Sequence, residues 1–227
     1  MNTRFIIILF IVAAIGFSSC KNNDNVFTPK LTAYYKIING SADTLNYYLN
    51  GTRQNNGSSL VPGGAEFYLP VPVGSENFQF KKNGAADVLF SVPEKLDTAN
   101  YSLYIAGLSV NQTFRTTDFF NPDTTQAIDT LTQARFVNAS PDIGDLDVYI
   151  GDTLKYKSRE FKSSSDFIIF GKGKKHVTVY LAGTKTPLQK DTSFVMSDHI
   201  IYTIYAYGLK NGKGASKFNV AFTLNYQ

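Results

Sequence analysis

Short runs that alternate apolar and polar residues, each bounded by turn-forming residues, recur along the chain. Phe78 and Phe80 alternate with polar neighbours, and Val177 and Val179 do the same. A period of two residues with one apolar face is typical of half-buried antiparallel strands. The predicted strands lie at about residues 31–38, 45–49, 65–69, 77–81, 86–92, 101–106, 110–119, 133–137, 146–150, 155–161, 166–170, 176–181, 192–196, 200–207 and 217–225. No amphipathic pattern predicts a helix longer than a turn or two, so an all-β fold is expected.

The first set of strands is repeated about one hundred residues later. Asn39 lies in the segment KIINGSAD, and Asn138 lies in the similar segment RFVNASPD, 99 positions further on. Residues 101–108 and 202–209 align at an offset of 101, and a third pair of segments aligns between them. Three matches in the same order indicate a tandem duplication. The pattern therefore predicts two tandem β-sandwiches of Greek-key type.

This repeat and its flanking segments predict the layout of the chain. A turn-favouring Asn-Pro pair opens the polar segment Asn121–Thr130, which separates the copies. The expected segments are a lipoprotein signal peptide at 1–19, a tether at 20–30, a first sandwich at 31–120, a linker at 121–131 and a second sandwich at 132–227.

The N-terminus has the character of an export signal. A positive start at Met1–Arg4 precedes an apolar run of 11 residues at Phe5–Ile15, which is too short to span a membrane. Phe17–Cys20 resembles a bacterial lipobox of the Bacteroidetes type, whose cysteine is diacylated and becomes the mature N-terminus. We expect a lipoprotein anchored through Cys20 in the outer membrane, on its periplasmic or its cell-surface face. The alternative is an ordinary signal peptide with an incidental cysteine.

Composition limits the chemistry that the chain can perform. Cys20 is the only cysteine, so an intrachain disulfide and a cysteine-based metal site are excluded. Residues 30–120 carry 7 basic and 7 acidic residues, whereas residues 132–227 carry 13 and 8, which places a charge of +5 on the second copy. Such an excess of basic residues usually reflects a solvated surface. The alternative is an anionic partner such as lipid headgroups or an acidic glycan. No nucleic-acid partner is expected.

The segment Ala134–Asp142 (ARFVNASPD) and the following Leu146–Ile150 (LDVYI) resemble the opening signature of a bacterial family known only as domain of unknown function 4397. In that family an R-x-x-(H/N)-A-S-P-D turn precedes a V-D-V-Y strand. The resemblance implies a secreted or lipid-anchored protein with tandem immunoglobulin-like sandwiches. It implies no activity and no catalytic residue.

The signature also has a structural interpretation. Asn138 and Ser140 are expected to bond backbone groups within the turn, and Asp142 is expected to accept from the amides that follow it. Alternation places Val148 and Ile150 in the core and leaves Asp147 and Tyr149 on the other face of the strand.

Three acidic residues, Asp142, Asp145 and Asp147, form the densest carboxylate group, and Ca²⁺ binds several oxygen ligands from one loop. The Gly-centred spacing of an EF-hand loop is absent, so we expect no metal and no cofactor. Asp142 and Asp147 are kept as candidate binding residues.

His176 and His199 are the only histidines, and neither lies in a zinc-binding or nucleophile-elbow motif. A hydrolase would need one of them to converge with a carboxylate in a cleft. Because no catalytic residue is predicted, we expect a protein that is not an enzyme.

Two further segments are candidates for surface contacts. Gly171–Lys175 resembles a phosphate loop only superficially and is better explained as a β-turn between neighbouring strands, at a basic edge that resists aggregation. Tyr205 and Tyr207 share one strand face, opposite Ile204 and Ala206. An exposed tyrosine pair can stack on sugar rings, but tyrosines at the rim of a sandwich core are commoner, and the absence of tryptophan weakens the case for a glycan platform.

Together these observations predict a cell-envelope lipoprotein with non-catalytic β-sandwich modules and a structural, adhesion or partner-binding role. Its expected partners are the membrane, through the N-terminal lipid, and an envelope protein or a glycan. The alternative is a glycan-binding accessory lipoprotein of a polysaccharide-utilisation system.

Overall fold

Strands make up most of residues 30–118 and 132–225, the two ranges that the computed structural model describes. The first copy contains β1 (Thr32–Asn39), β2 (Leu45–Leu49), β3 (Thr52–Arg53), β4 (Leu69–Pro72), β5 (Gly74–Lys82), β6 (Phe90–Leu96), β7 (Asn100–Ile105) and β8 (Thr113–Thr117). The second copy contains β9 (Thr132–Asn138), β10 (Leu146–Ile150), β11 (Thr153–Arg159), β12 (Ile168–Phe170), β13 (Gly173–Leu181), β14 (Pro187–Met196), β15 (Ile201–Tyr207) and β16 (Asn219–Asn225). The helical elements of these ranges are two single 3-10 turns, Val110–Gln112 and Gly214–Ser216. The all-β prediction is confirmed.

Each copy consists of two four-stranded sheets that enclose an apolar core. The strand orders are β4-β1-β7-β8 and β3-β2-β5-β6 in the first copy, and β12-β9-β15-β16 and β11-β10-β13-β14 in the second. Tyr35 of β1 stacks on Phe78 of β5 with ring centroids 4.3 Å apart, which joins the two sheets of the first core. Phe136 of β9 and Val148 of β10 belong to the corresponding core of the second copy. The prediction of β-sandwich modules is therefore confirmed.

One strand pairing in each copy is parallel, which corrects the expectation of antiparallel sheets. β1 runs parallel to β7, with Tyr34 opposite Asn100, and β9 runs parallel to β15, with Ala134 opposite Tyr202. Between β1 and β7 the chain forms β2, β3, β5 and β6 of the other sheet and the antiparallel edge strand β4, and it then returns as β7 in the direction of β1. Parallel pairs require such a crossover and occur where both faces of a sheet are covered.

β4 and β6 each begin about four residues later than predicted. The predicted segment 65–69 is replaced by β4 at Leu69–Pro72, and the predicted segment 86–92 is replaced by β6 at Phe90–Leu96. Both observed strands contain proline, which cannot donate to a ladder. Proline is tolerated because β4 and β6 are edge strands of their sheets.

The sheets β4-β1-β7-β8 and β12-β9-β15-β16, here called the inner sheets, pack on each other through the faces that point away from their own cores. This contact contains a separate cluster of buried residues, formed by Ile38, Tyr104, Ala106, Val137, Ala139 and Tyr205. The rings of Tyr104 and Tyr205 meet edge to face with centroids 6.4 Å apart. Both copies consequently belong to one compact unit.

Several predictions concern segments outside the described residues. These are the signal peptide at 1–19, Cys20 and the tether up to residue 29, and the linker at 121–131. Among the residues that the structure does describe, no helix has the length and apolar character needed to cross a bilayer.

Candidate functional site

The buried side chain of Asn138 closes the turn that follows β9. Its Oδ1 accepts from the Ser140 amide at 3.0 Å, and its Nδ2 donates to the carbonyls of Gly144 at 3.2 Å and Arg159 at 3.0 Å. The equivalent Asn39 of the first copy makes the same three kinds of bond, with Ser41, Asp43 and Leu60. The signature asparagine therefore satisfies backbone groups that the turn would otherwise leave unpaired.

Ser140 and Asp142 connect this turn to the loop that follows β15. Ser140 Oγ donates to the Gly208 carbonyl at 2.7 Å, and Asp142 Oδ1 accepts from the Lys210 amide at 2.9 Å. The sequence places Asp142 as an acceptor for the amides that follow it, and the amide that it binds here belongs to the loop after β15. Because β9 and β15 are parallel neighbours, the segments that follow them leave the sheet at the same edge and meet there.

Asp147 lies on the outward face of β10, as predicted. Its two carboxylate oxygens accept from the amides of Ser158 at 2.8 Å and Gly183 at 3.2 Å, and they connect β10 to β11 and to the turn after β13. The described parts of the chain contain no group of three or more histidine, cysteine or acidic side chains that could hold a metal ion. A ligand-binding role for Asp142 or Asp147 stays a prediction.

Tyr205 and Tyr207 share one face of β15, as the alternation predicts, but that face is the contact between the copies. Tyr205 is only 1% exposed and donates through its hydroxyl to the Gly63 carbonyl at 2.8 Å. The exposed tyrosine pair that sugar stacking would require is therefore not formed. The inner sheets explain the difference, since the face of β15 opposite its own core is covered by the other copy.

Tyr207 is half-buried and lines a cavity of about 290 Å³ at the junction between the copies. The first copy contributes Pro62 to this junction cavity, and the second contributes Gln189, Tyr207, Ala215, Lys217 and Asn219. A cavity between two modules that offers amide, ammonium and phenol groups is a candidate ligand site.

A buried ion pair crosses the contact between the inner sheets. The Arg135 guanidinium bonds to Asp118 Oδ1, and both side chains are almost completely buried. Asp118 Oδ2 also accepts from Tyr68 at 2.5 Å and from Ser102 at 2.6 Å, while Arg135 Nε donates to Thr203 at 3.0 Å. A buried charge pair is tolerated when its remaining hydrogen-bonding groups are also satisfied, as they are here.

Lys36 occupies the position in β1 that Arg135 occupies in β9. Its ammonium donates to the Leu224 carbonyl and, at 3.0 Å, to Asn225 Oδ1, and it lies 4.3 Å from the centre of the Tyr68 ring. The two contacts are related by the repeat: each copy inserts one cation from its first strand against the end of the other copy's last strand. Asp118 follows β8, and Asn225 ends β16, so the anion is present on one side only.

Burial changes the acid–base properties of this contact. Desolvation lowers the pKa of Lys36 from 10.5 to about 7, with Asp118 opposing the shift and Arg135 adding to it. Burial and the neighbouring Asp118 carboxylate raise the pKa of the Tyr68 phenol well above its ordinary value. The contact therefore contains one lysine that is neutral over part of the alkaline range.

The segment Gly171–Lys175 differs from the predicted turn between neighbouring strands. β12 ends at Phe170 and β13 begins at Gly173, and these two strands belong to different sheets of the second copy. Lys174 and Lys175 lie within β13, which is an inner strand of its sheet. The connection therefore crosses between sheets, and one edge strand of the second copy that bears lysines is β11, with Lys155 and Lys157.

The two histidines lie on the surface of the second copy. His176 is exposed on β13, opposite Ser193 of β14, and His199 is in an exposed turn with a φ of 62°. Tyr149 and Tyr180 form an aromatic pair on the outer sheet, with centroids 5.2 Å apart and planes at 73°, so they are not a coplanar platform.

Sequence reasoning missed the residues that join the copies and line the cavity. Lys36 and Arg135 could have been found, because each is a single cation inside an otherwise apolar strand at an equivalent position of the repeat. Asp118, Gln189 and Lys217 had no such signal, since polar residues near strand ends are common on any surface.

A comparison with protein families agrees with the presence of two copies. The family profile described as "Domain of unknown function (DUF4397)" matches residues 33–149 and again residues 132–220. The chain belongs to this family. The signature arginine of this DUF4397 protein is Arg135, so one signature residue is part of the contact between the copies. No curated protein matches the chain.

Solved structures show only distant likeness. A chain from a study titled "Alpha-glucan recognition by family 41 carbohydrate-binding modules from streptococcal virulence factors" is 11% identical, with 76% of this chain and 92% of that chain covered and a TM-score of 0.26. A leucine-rich repeat protein from Bacteroides thetaiotaomicron is 15% identical, with coverages of 76% and 25% and a TM-score of 0.17. Scores this low carry no argument about this chain.

Proposed function

We propose that this DUF4397 protein is a non-catalytic lipoprotein of a Gram-negative cell envelope, held by acyl chains on Cys20, whose two sandwiches form one rigid binding body. The observation that supports this proposal is the use of the signature residues. Arg135, Asn138, Ser140, Asp142 and Asp147 all bond to groups of the chain itself. A signature whose polar groups are engaged in this way builds a scaffold and leaves recognition to other surfaces.

The packing of the copies supports a rigid body in particular. The contact between the inner sheets combines an apolar cluster, the Arg135–Asp118 pair and the buried Lys36. Such a contact has a strongly preferred geometry, because any displacement would break the buried Arg135–Asp118 pair and leave the hydrogen-bonding groups of Lys36 unsatisfied. A ligand site at the junction would then keep its shape between the free and the bound protein.

Acylation at Cys20 would hold this body at the membrane. One acyl chain gives only marginal membrane binding, whereas a diacylated or triacylated cysteine anchors a protein stably. The predicted tether, residues 20–30, would place the sandwiches a short distance from the bilayer surface.

The anchoring is tested by expressing the full chain in a Gram-negative host and measuring the mass of the mature N-terminal peptide. We expect cleavage before Cys20, a mass increment of two or three acyl chains, and recovery of the protein with the outer membrane. A Cys20→Ser variant serves as the control and should lose both the increment and the membrane recovery. An unacylated mature N-terminus in the unaltered chain would contradict the proposal.

A glycan-binding accessory lipoprotein of a polysaccharide-utilisation system is the second candidate function. The observation that favours it is the junction cavity, where the half-buried Tyr207 ring lies beside amide side chains. Aromatic rings contact the C–H faces of sugars, and amides bond to their hydroxyls. Retention of the protein on columns of envelope or plant polysaccharides tests this function, and retention that is unaffected by Tyr207→Ala would contradict it.

A further inference from the structure

We propose that the junction cavity binds one uronic-acid residue of an acidic polysaccharide. This inference rests on the second candidate function and deepens it, because it specifies the chemical class of the sugar and the residues that recognise it.

The junction cavity is lined by a cation. Lys217 is the charged residue among the described residues that line the cavity, and no carboxylate lines it there. Lys217 is exposed, so its ammonium can reach a ligand without a large desolvation cost. A ligand that carries a carboxylate would form a charge-assisted hydrogen bond with it, which is stronger than a bond between neutral groups.

The cavity is also lined by the aromatic ring of Tyr207. The Tyr207 ring packs against the backbone at Gly63, where a Cβ atom would overlap the ring, and its centroid is 6.0 Å from that of Tyr205. These contacts hold the ring in place before a ligand binds. A fixed ring contacts the face of a sugar at low entropic cost, because few rotamers have to be given up on binding.

Two residues with amide side chains, Gln189 and Asn219, line the cavity as well. Gln189 Nε2 donates to Thr192 Oγ1 at 2.9 Å, and Asn219 Oδ1 accepts from the Val220 amide at 2.8 Å. These bonds orient both side chains, and each amide has further hydrogen-bonding capacity for sugar hydroxyls. At about 290 Å³ the cavity has space for one sugar ring and its substituents, and its open side would allow the polymer to continue.

The repeat predicts one such site per chain. The strand register aligns Tyr207 with Ala106 and Lys217 with Val110, so the first copy has neither the ring nor the cation at the equivalent place. Pro62 of the first copy lines the cavity of the second, which means that the site exists only where the two copies meet.

Calorimetric titration of the full chain in detergent with trigalacturonic acid tests the proposal. We expect a stoichiometry of one and binding about tenfold or more tighter than that of the neutral trisaccharide maltotriose. Lys217→Gln should weaken trigalacturonate binding about tenfold, whereas Lys210→Gln should not change it, because Lys210 is an exposed lysine of the same loop that does not line the cavity. Equal binding of the two trisaccharides would overturn the proposal, and so would equal effects of the two lysine variants.

A second pair of variants keeps the test independent of folding defects. Ala215→Glu introduces a carboxylate into the cavity from an exposed position and should abolish binding, whereas Ala85→Glu at an exposed turn of the first copy should leave it unchanged. Binding of free galacturonate that is much tighter than that of the trisaccharide would overturn the assignment to a polysaccharide, because the cavity would then exclude a residue within a chain. None of these variants touches Cys20, so a lost sugar site and a lost lipid anchor are distinguished by the titration and by the N-terminal mass.

Discussion

Lys36 shows how a single buried residue makes stability depend on pH. The folded protein holds its pKa near 7 because of burial, whereas the ordinary value of 10.5 applies to the unfolded chain. Between these two values the unfolded chain binds more protons than the folded protein does. The free energy of unfolding therefore rises with pH in this window, and the cost of burying the charge is fully present below pH 7.

We predict that the free energy of unfolding increases between pH 7 and pH 9.5, with a contribution from Lys36 of up to about 1.4 kcal/mol per pH unit. Denaturant titrations at several pH values measure the slope. In a Lys36→Met variant the contribution should disappear, because the side chain no longer titrates. A slope that is the same in both proteins would show that Lys36 is charged throughout this range.

Asp118 is the counter-ion of the buried Arg135 in the contact between the copies. Asp118→Asn leaves the Arg135 guanidinium buried without a carboxylate, so we expect the free energy of unfolding to fall by about 3–5 kcal/mol. Denaturant unfolding at neutral pH, with an unchanged m value, is the measurement. The matched control is Asp198→Asn at the exposed Lys172–Asp198 pair, which should cause no measurable change. Similar decreases in the free energy of unfolding at both sites would indicate that burial of the ion pair does not determine the loss of stability.

The loop from Gly208 to Lys217 is the element that shapes the junction cavity, and its first residue is restricted by the backbone. Gly208 has a φ of 82°, and a Cβ atom there would overlap the Lys217 carbonyl. Gly84 has a similar φ of 79° but has open space around the position of a Cβ. Substituting Gly84 and Gly208 in turn therefore separates the loss of stability caused by a left-handed backbone from the additional loss caused by close packing.

We predict that Gly84→Ala lowers the free energy of unfolding by about 1–2 kcal/mol and that Gly208→Ala lowers it by about 2 kcal/mol more. The additional cost arises because the Lys217 backbone has to move before a methyl group fits. Thermal and denaturant unfolding of the two variants provide the comparison. Equal losses would mean that the loop adapts freely and that the cavity is not rigid.

The elements differ in how far the sequence predicts them. Alternation identifies β5 and β13 well, because only one face of each strand is apolar. β1 and β9 are buried on both faces, and their sequences, with Lys36 or Arg135 between apolar residues, do not say which sheet covers the second face. For the same reason the sequence of β15 does not show whether the face that carries Tyr205 is exposed or covered. The junction cavity could not be predicted, because it combines Pro62 with a loop about 150 residues later, and only the packing of the inner sheets brings them together.

At the scale of the whole molecule, the two copies meet like the subunits of a symmetric dimer. Equivalent positions face each other across the contact: Tyr104 meets Tyr205, and the cations Lys36 and Arg135 each reach the last strand of the other copy. A symmetric contact is one that two identical modules could also form. The charges, however, are no longer equivalent, since the carboxylate of Asp118 corresponds to the amide of Asn225.

This asymmetry predicts different behaviour for the separated copies. Two first-copy fragments, residues 21–120, that pair through their inner sheets would place Lys36 opposite Asp118 twice, so both buried cations would meet a carboxylate. Two second-copy fragments, residues 132–227, would place Arg135 opposite Asn225 and would bury two guanidinium groups without an anion, which is costly. We therefore expect the first fragment to dimerise and the second to stay monomeric in sedimentation experiments at micromolar concentration.

Asp118→Asn should dissociate the first dimer, whereas Asp87→Asn, at an exposed position, should not. A dimer of the second fragment that is as stable as that of the first would show that the apolar cluster, and not the charges, determines the pairing.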